Sequence, residues 1–271
     1  MKQYLFIMLL ALSACEASRH TSATQPVSTL PSNTTINGKL YTALYVQRAA
    51  EFRALCFQAF NIAHWQIDQY KPQSSKPLAI ITDIDETILD NSPYAVSQAL
   101  EGKDYVATSW YNWTDLGAAD TIPGAGSLLR YAASKGIETF YITNREERER
   151  SSTIANLAKL GLPNADATHL LTKSTTSGKE PRRQSVMATH EVIFLMGDNL
   201  ADFTGLYDKK SMADRKAQTD AFFNEFGKRF IVLPNPNYGD WESSMNGYKY
   251  NYTTDQKDSI IRANVMPVRK P

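Results

Sequence analysis

Cysteine is scarce in this chain of 271 residues: only Cys15 and Cys56 are present. That excludes a disulfide-stapled scaffold. The four histidines, His20, His64, His169 and His190, show no metal-ligand spacing, which argues against a zinc or haem site. No apolar run is long enough to cross a bilayer as a helix. Charge of one sign is also lacking, since 29 Lys and Arg balance 28 Asp and Glu for a formal net charge of +1. No global basic field therefore attracts a nucleic acid polymer, and selectivity for an anion must come from a local site. The sequence contains no internal repeat. What remains is the composition of a globular protein, 42% hydrophobic and 21% charged, with ample length for a real core.

The N-terminus stands apart. Lys2 precedes a short apolar run, Tyr4 to Leu12, of signal-peptide length. The following Leu12-Ser13-Ala14-Cys15 resembles the lipobox of bacterial lipoproteins. The resemblance implies a signal peptide over 1–14 and lipidation of Cys15, which would anchor the chain to a membrane. Glu16, rather than Asp, after Cys15 points to the outer membrane, facing the periplasm or the surface. Residues 16–38 are rich in Ser, Thr, Pro and Asn, and residues 15–40 read as the lipidated Cys and a flexible tether. Cys56 is then left without an intramolecular partner and is expected to be a small buried hydrophobe.

A folded domain is expected over 41–271. Tyr45, Ala49, Phe52, Cys56, Ala59, Ala63 and Ile67 recur at steps of four and three, the stripe of one amphipathic helix. Short apolar or β-branched runs at Leu78–Thr82, Glu138–Thr143, His169–Leu171, Val192–Met196 and Arg229–Leu233 read as strands, with helices at Gly124–Ser134 and Arg150–Leu160 between them. This alternation predicts an α/β fold with a mostly parallel sheet covered on both faces. Ligands of such sheets sit at the carboxyl ends of the strands.

Polar groups gather at those predicted ends. Asp83-Ile84-Asp85-Glu86-Thr87 follows the first strand, Thr143-Asn144-Arg145 the second, and Gly197-Asp198-Asn199-Leu200-Ala201-Asp202 the strand ending at Met196. Ser177-Gly178-Lys179-Glu180-Pro181-Arg182 lies between the last two. Each segment alone is weak, because acidic residues at strand ends are common. Together they make a chemistry. Two close carboxylates, Asp83 and Asp198, need a cation or a proton between them, and hard oxygen ligands suit Mg²⁺. Thr143 and Lys179 offer a hydroxyl and a point charge to phosphate oxygens. A carboxylate so placed can attack phosphorus, and Asp85 lies close enough for acid/base work.

The four segments in this order resemble the motifs of the haloacid dehalogenase (HAD) superfamily, and more narrowly the class C non-specific acid phosphatases, the bacterial lipoprotein e family. Ile81-Thr82-Asp83-Ile84-Asp85-Glu86-Thr87-Ile88-Leu89-Asp90-Asn91-Ser92-Pro93-Tyr94 and Gly197-Asp198-Asn199-Leu200-Ala201-Asp202-Phe203 carry the likeness, with Tyr141 to Arg145 and Leu233 to Trp241. It implies a three-layer Rossmann-like sandwich with a small, largely helical cap drawn from about 41–70, 91–122 and the C-terminal region. It also implies roles. Asp83 would be nucleophile and Mg²⁺ ligand; Asp85 would be acid/base, with its carbonyl on the metal. Thr143 and Lys179 would hold the phosphoryl group, Asp198 would bind the metal, and Asp202 would support it through water. Asn144 and Arg145 would contact substrate. The implied substrates are phosphomonoesters such as nucleoside 5′-monophosphates and nicotinamide mononucleotide, hydrolysed through an aspartyl-phosphate. Departures from the pattern, at Thr82, Ile88, Phe194 and Ala201, remove no catalytic group.

For Trp110 and Tyr238 the resemblance suggests an aromatic sandwich around a nucleobase or nicotinamide ring. Trp113 and Trp241 read as core or interface residues, and Arg145 to Arg150 as a solvated helix start. A phosphotransferase using the same intermediate, or a lipoprotein that captures haem or a nucleotide without chemistry, are the alternatives. The second explains poorly why a nucleophile stands beside an acid/base. The N-terminal helix and the aromatic-rich segment could serve a homodimer.

Overall fold

A computed structural model of the chain describes residues 33–267. The signal-peptide, Cys15 and most of the tether readings therefore lie outside the described residues. Among those residues no helix is long and apolar enough to cross a membrane.

The fold opens on two helices, α1 (Thr34–Arg48) and α2 (Ala50–Gln69). A five-residue strand β1 (Leu78–Thr82) follows, then a short β2 (Leu89–Asp90), helices α3 (Ser92–Leu100) and α4 (Ala107–Asp115), and β3 (Asp120–Thr121), which pairs antiparallel with β2. Helix α5 (Ala125–Ser134) leads to β4 (Glu138–Glu146), α6 (Arg150–Lys159), β5 (Leu170–Lys173), α7 (Glu180–Thr189) and β6 (Glu191–Gly197). The chain ends with α8 (Met212–Ala221), β7 (Phe230–Val232), α9 (Asp240–Met245) and α10 (Thr254–Asn264).

The five longer strands form one parallel sheet in the order β5-β4-β1-β6-β7. Alternation along the strands divides the core. Ile80 and Tyr141 face α2 and α5 on one side, while Ala79, Ile81, Phe140 and Ile142 face the layer containing Val186, Phe203 and Phe230 on the other. Both faces are covered, which is why the strands read as continuous apolar runs. In β6 the alternation slips. Ala79 pairs with Val192 but Ile81 with Leu195, so one extra residue is accommodated, and Ile193 and Phe194 join the same cluster.

The amphipathic stripe is real but belongs to two helices. Ala49 is extended (φ −76°, ψ 127°) and breaks them, leaving Phe52, Cys56, Ala59, Phe60, Ala63 and Ile67 as the buried face of α2. Each buried phenylalanine there contributes about 1.5–3 kcal/mol through area removed from water. Cys56 is a fully buried core residue, as expected. The tether reading fails at its end, because α1 starts at Thr34 and not near residue 41. Asp258 of α10 accepts the N–H groups of Thr34 and Thr35 (2.9 and 2.8 Å) and the Thr35 hydroxyl (2.7 Å), and Asn33 caps Ile36 N–H. Donors that a helix start leaves unpaired are thus satisfied from the far end of the chain.

Candidate active site

β1 lies at the centre of the sheet, and the chain winds outward from it first to β4 and β5, then to β6 and β7. A crevice forms at the carboxyl ends where that order reverses. Thr82 pairs with Met196 on one side and Tyr141 on the other. The residues just beyond, Asp83, Asp198 and Thr143, are thereby brought to one edge. Asp83 N–H continues the ladder to Met196 O at 2.9 Å.

The loop after Asp83 is tight. The N–H groups of Ile88 and Leu89 both return to Ile84 O, at 2.8 and 2.9 Å. Glu86 takes a left-handed conformation (φ 57°), a strain of about 1–3 kcal/mol for a residue with a side chain. Its surroundings hold it there. Glu86 N–H donates to Leu89 O, and its buried carboxylate accepts Asn91 N–H (3.1 Å) and the Tyr238 hydroxyl.

Asp83, Asp198 and Asp202 each present a carboxylate oxygen within 4.8 Å of the others. Lys179 Nζ lies 2.5 Å from Asp83 Oδ1 and 2.7 Å from Asp202 Oδ1, and its side chain is only 6% exposed. Burial disfavours its ammonium, but Asp202 and Asp83 outweigh this and hold the pKa above the ordinary lysine value. Burial pushes Asp83 up; Lys179 pulls the other way, and Asp202, Asp198 and Asp85 add to the rise. Asp198 is pushed up to about 7, by burial first and then Asp202. One ammonium thus does not balance the cluster. The donors are all hard oxygens, and Asp198 is aimed by Thr87 Oγ1 (3.3 Å) and Asn235 Nδ2 (2.7 Å). The residues therefore fit a divalent metal ion. Asp202 also holds Lys179 in place, while its other oxygen accepts Asn199 N–H at 3.0 Å.

Thr143 is buried, and its hydroxyl oxygen accepts Arg145 N–H at 3.0 Å, leaving the hydroxyl proton without a partner among the described residues. Asn144 is exposed, and its side-chain oxygen accepts from Arg182 Nη2 at 2.9 Å.

Asp85 stands outside the carboxylate cluster. Arg145 Nε reaches both its oxygens (3.1 and 3.2 Å), Arg145 Nη2 reaches Oδ1 (2.8 Å), and Asn91 Nδ2 donates to Oδ1 (2.9 Å). Arg145, expected to contact substrate, is buried, with its guanidinium bonded to Asp85 and Thr153. The charge run from Arg145 to Arg150, expected to be solvated, is not wholly so. Glu149 is also buried, accepting from Trp110 Nε1 (3.0 Å), Thr114 Oγ1 (3.0 Å) and Glu146 N–H (2.8 Å). Burial is tolerated because each charge has partners.

Trp110 lies beside Arg145, the partner of Asp85, and Tyr238 beside Glu86. Trp110 packs edge-on to Tyr94 (5.2 Å between centroids), near Tyr105 (6.2 Å) and under the Arg145 guanidinium (5.8 Å). Tyr238 lies on the opposite connection, through its hydroxyl to Glu86. Trp113 packs against the core and donates to Asn91 Oδ1 at 2.8 Å. Trp241, expected in the core or an interface, is 46% exposed; its indole N–H donates to Tyr238 O at 3.1 Å.

Comparison with known proteins decides the family. Residues 3–241 match the model of the acid phosphatases that form subfamily IIIB of the HAD superfamily. The chain belongs to this family. It is similar to the structure of the class C acid phosphatase from Bacillus anthracis, at 36% identity and a TM-score of 0.84 over 87% of this chain and 99% of that one. The same protein with tungstate bound gives 0.83. Among curated proteins, acid phosphatase 1 of Solanum lycopersicum is 27% identical over 58% of this chain and 57% of its own length. The stem 31 kDa glycoprotein of Glycine max is 24% identical over 58% of each. The match thus spans under three fifths of those two plant proteins.

Several residues of the site had no assigned role in the sequence. Glu86 and Asn91 lie inside the first motif, and Asn235 in the Leu233–Trp241 segment; their positions were visible but their partners were not. Arg183, 1% exposed, donates to the carbonyls of Ala201 and Asp202 at 2.9 Å each and so fixes the turn bearing Asp202. An arginine on a polar helix gave no signal of that role.

Proposed function

We propose that the chain hydrolyses phosphomonoesters at this edge through an aspartyl-phosphate on Asp83, with Mg²⁺ as the metal, and that nucleoside 5′-monophosphates and nicotinamide mononucleotide are preferred substrates. The observation that carries the reading is the pairing of Asp83 with Lys179 at 2.5 Å inside a three-carboxylate cluster. It supplies a nucleophile, a cation for phosphoryl oxygens and hard ligands in one place. Asp83 and Asp198 would hold Mg²⁺, with Asp202 alongside. When bound, Mg²⁺ would neutralise charge on the transferring phosphoryl group.

Asp83 would attack phosphorus in line with the departing alcohol. Lys179 would shift from its carboxylate partners toward the phosphoryl oxygens, and the free hydroxyl proton of Thr143 would donate to another. Asp85 would give a proton to the leaving oxygen, then take one from the water that opens the aspartyl-phosphate. The similar Bacillus anthracis protein binds tungstate, an oxyanion like phosphate, which supports a phosphoryl group as the ligand of this chain. Trp110 and Tyr238 would stack on the ring of the substrate, giving broad tolerance among bases. Lipidation of Cys15 and an outer-membrane location would present the site to substrates outside the cytoplasm.

A screen of nucleotides and sugar phosphates, with Mg²⁺ and after dialysis against a chelator, tests this. Hydrolysis that needs the metal and favours nucleotides is expected. Full activity without divalent metal would overturn the metal role, and equal rates on all esters the substrate preference.

A further inference from the structure

Lys39 of α1 has no carboxylate of the Asp83 cluster among its partners, yet it joins the 237–242 segment to Asp104. Its ammonium donates to Asn237 O (3.2 Å) and Glu242 Oε2 (3.2 Å), and lies 3.5 Å from Asp104 Oδ1. Its side chain is only 14% exposed. Asn237 immediately precedes Tyr238, and Asn237 Nδ2 donates back to Lys39 O (2.9 Å) and Thr42 Oγ1 (3.0 Å). On the other side, Asp104 accepts Tyr105 N–H at 2.7 Å, and the Tyr105 ring lies against Trp110. One half-buried ammonium therefore ties the segment carrying Tyr238 to the segment bordering Trp110.

We propose that Lys39 is a positioning residue that sets the separation of the Trp110 and Tyr238 walls, and so the preference for ring-bearing phosphomonoesters. The inference rests on the reading of those two rings as the stacking platform. Lys39 is well chosen by geometry for this. It reaches no residue of the carboxylate cluster, so its influence falls on the leaving group and not on phosphoryl transfer. Lys257 Nζ also pairs with Asp104, at 2.5 Å, so removing the Lys39 charge does not leave that carboxylate alone. Lys39→Met removes the charge and keeps an unbranched side chain.

The test compares adenosine 5′-monophosphate with glycerol phosphate, which has no ring, for wild type, Lys39→Met, Lys39→Arg and the double variant Trp110→Ala/Tyr238→Ala. For Lys39→Met the selectivity for the nucleotide should fall about fivefold, as expected for loss of one partly buried ion-pair network, through KM and not kcat. Lys39→Arg should restore most of it. If the aromatic variant loses selectivity while Lys39→Met keeps it, the role of Lys39 is overturned and the stacking platform stands. If the aromatic variant keeps its selectivity, the platform is overturned and the role of Lys39 falls with it. An equal loss on both substrates in Lys39→Met would show a merely structural lysine and would also overturn the proposal.

Discussion

Arg145 grips Asp85 edge-on, with Nε shared between both carboxylate oxygens and Nη2 on Oδ1 at 2.8 Å. Thr153 and the Trp110 ring hold the guanidinium from behind. If Asp85 serves as acid and base, Arg145 fixes its direction. Arg145→Lys cannot reproduce a two-oxygen contact. We expect kcat for an alkyl phosphomonoester to fall about 100-fold, the scale of general acid catalysis. An aryl ester, whose leaving group needs less help, should lose much less. Steady-state kinetics on the two esters checks this, and an equal loss would count against it.

Asn235 bears on Asp198 in a comparable way, donating to Oδ2 at 2.7 Å. Removing an outer partner of a metal ligand weakens metal binding about 10–100-fold. Asn235→Ala should therefore need correspondingly more Mg²⁺ for half-maximal activity. A metal titration of the rate gives the answer directly.

Gly197 leaves room for Asp202. A Cβ added there would overlap the Asp202 side chain. Gly197→Ala must push Asp202 from Lys179 and from Asn199 N–H. Overpacking of this kind costs about 1–3 kcal/mol, measurable by denaturant unfolding, and activity should fall with it.

At the opposite end of the sheet, His169 lies between Glu138 (2.9 Å) and Asp166 (2.8 Å), with His190 3.5 Å from Glu138. Burial opposes the charge on His169, but Glu138 and Asp166 hold its pKa above the ordinary 6.5. That stabilisation is complete below 6.5 and is lost as pH rises through the raised value. The His169 hydrogen bond lowers Glu138 below its ordinary 4.5; Asp166 falls below 3.8 because the same histidine outweighs burial. Their contribution is present above those ordinary values and is lost as pH falls through the lowered ones. The cluster therefore stabilises most between about pH 4.5 and 6.5. Melting curves of wild type and His169→Ala should differ most in that window and converge at higher pH.

How much of this was legible in the sequence varied with the range of the interactions. The strands were, because a sheet buried on both faces demands unbroken apolar runs such as Leu78–Thr82. The acidic residues at their ends were too, since register alone brings Asp83 and Asp198 together. Helix α1 was not. Its first turn, Thr34 to Gly38, has Ile36 as its one apolar residue and contains a glycine, and it is held by Asp258 more than 200 residues away. The break at Ala49 was hidden for the converse reason, as the apolar period runs through it. Helix α10 buries no residue and so leaves no apolar stripe to read. The contacts of Arg145 with Asp85, and of Tyr238 with Glu86, join segments that only the finished sheet brings together.

The role proposed for Asp83 is that of nucleophile. Its most direct test is acid quenching of the Mg²⁺-loaded enzyme during turnover of a nucleoside 5′-monophosphate, followed by mass analysis of the peptides. The predicted result is a phosphoryl group on the Asp83 peptide, absent from Asp83→Asn, which should also be inactive while still folded. A phosphoryl group on another residue, or sustained turnover by Asp83→Asn, would contradict it.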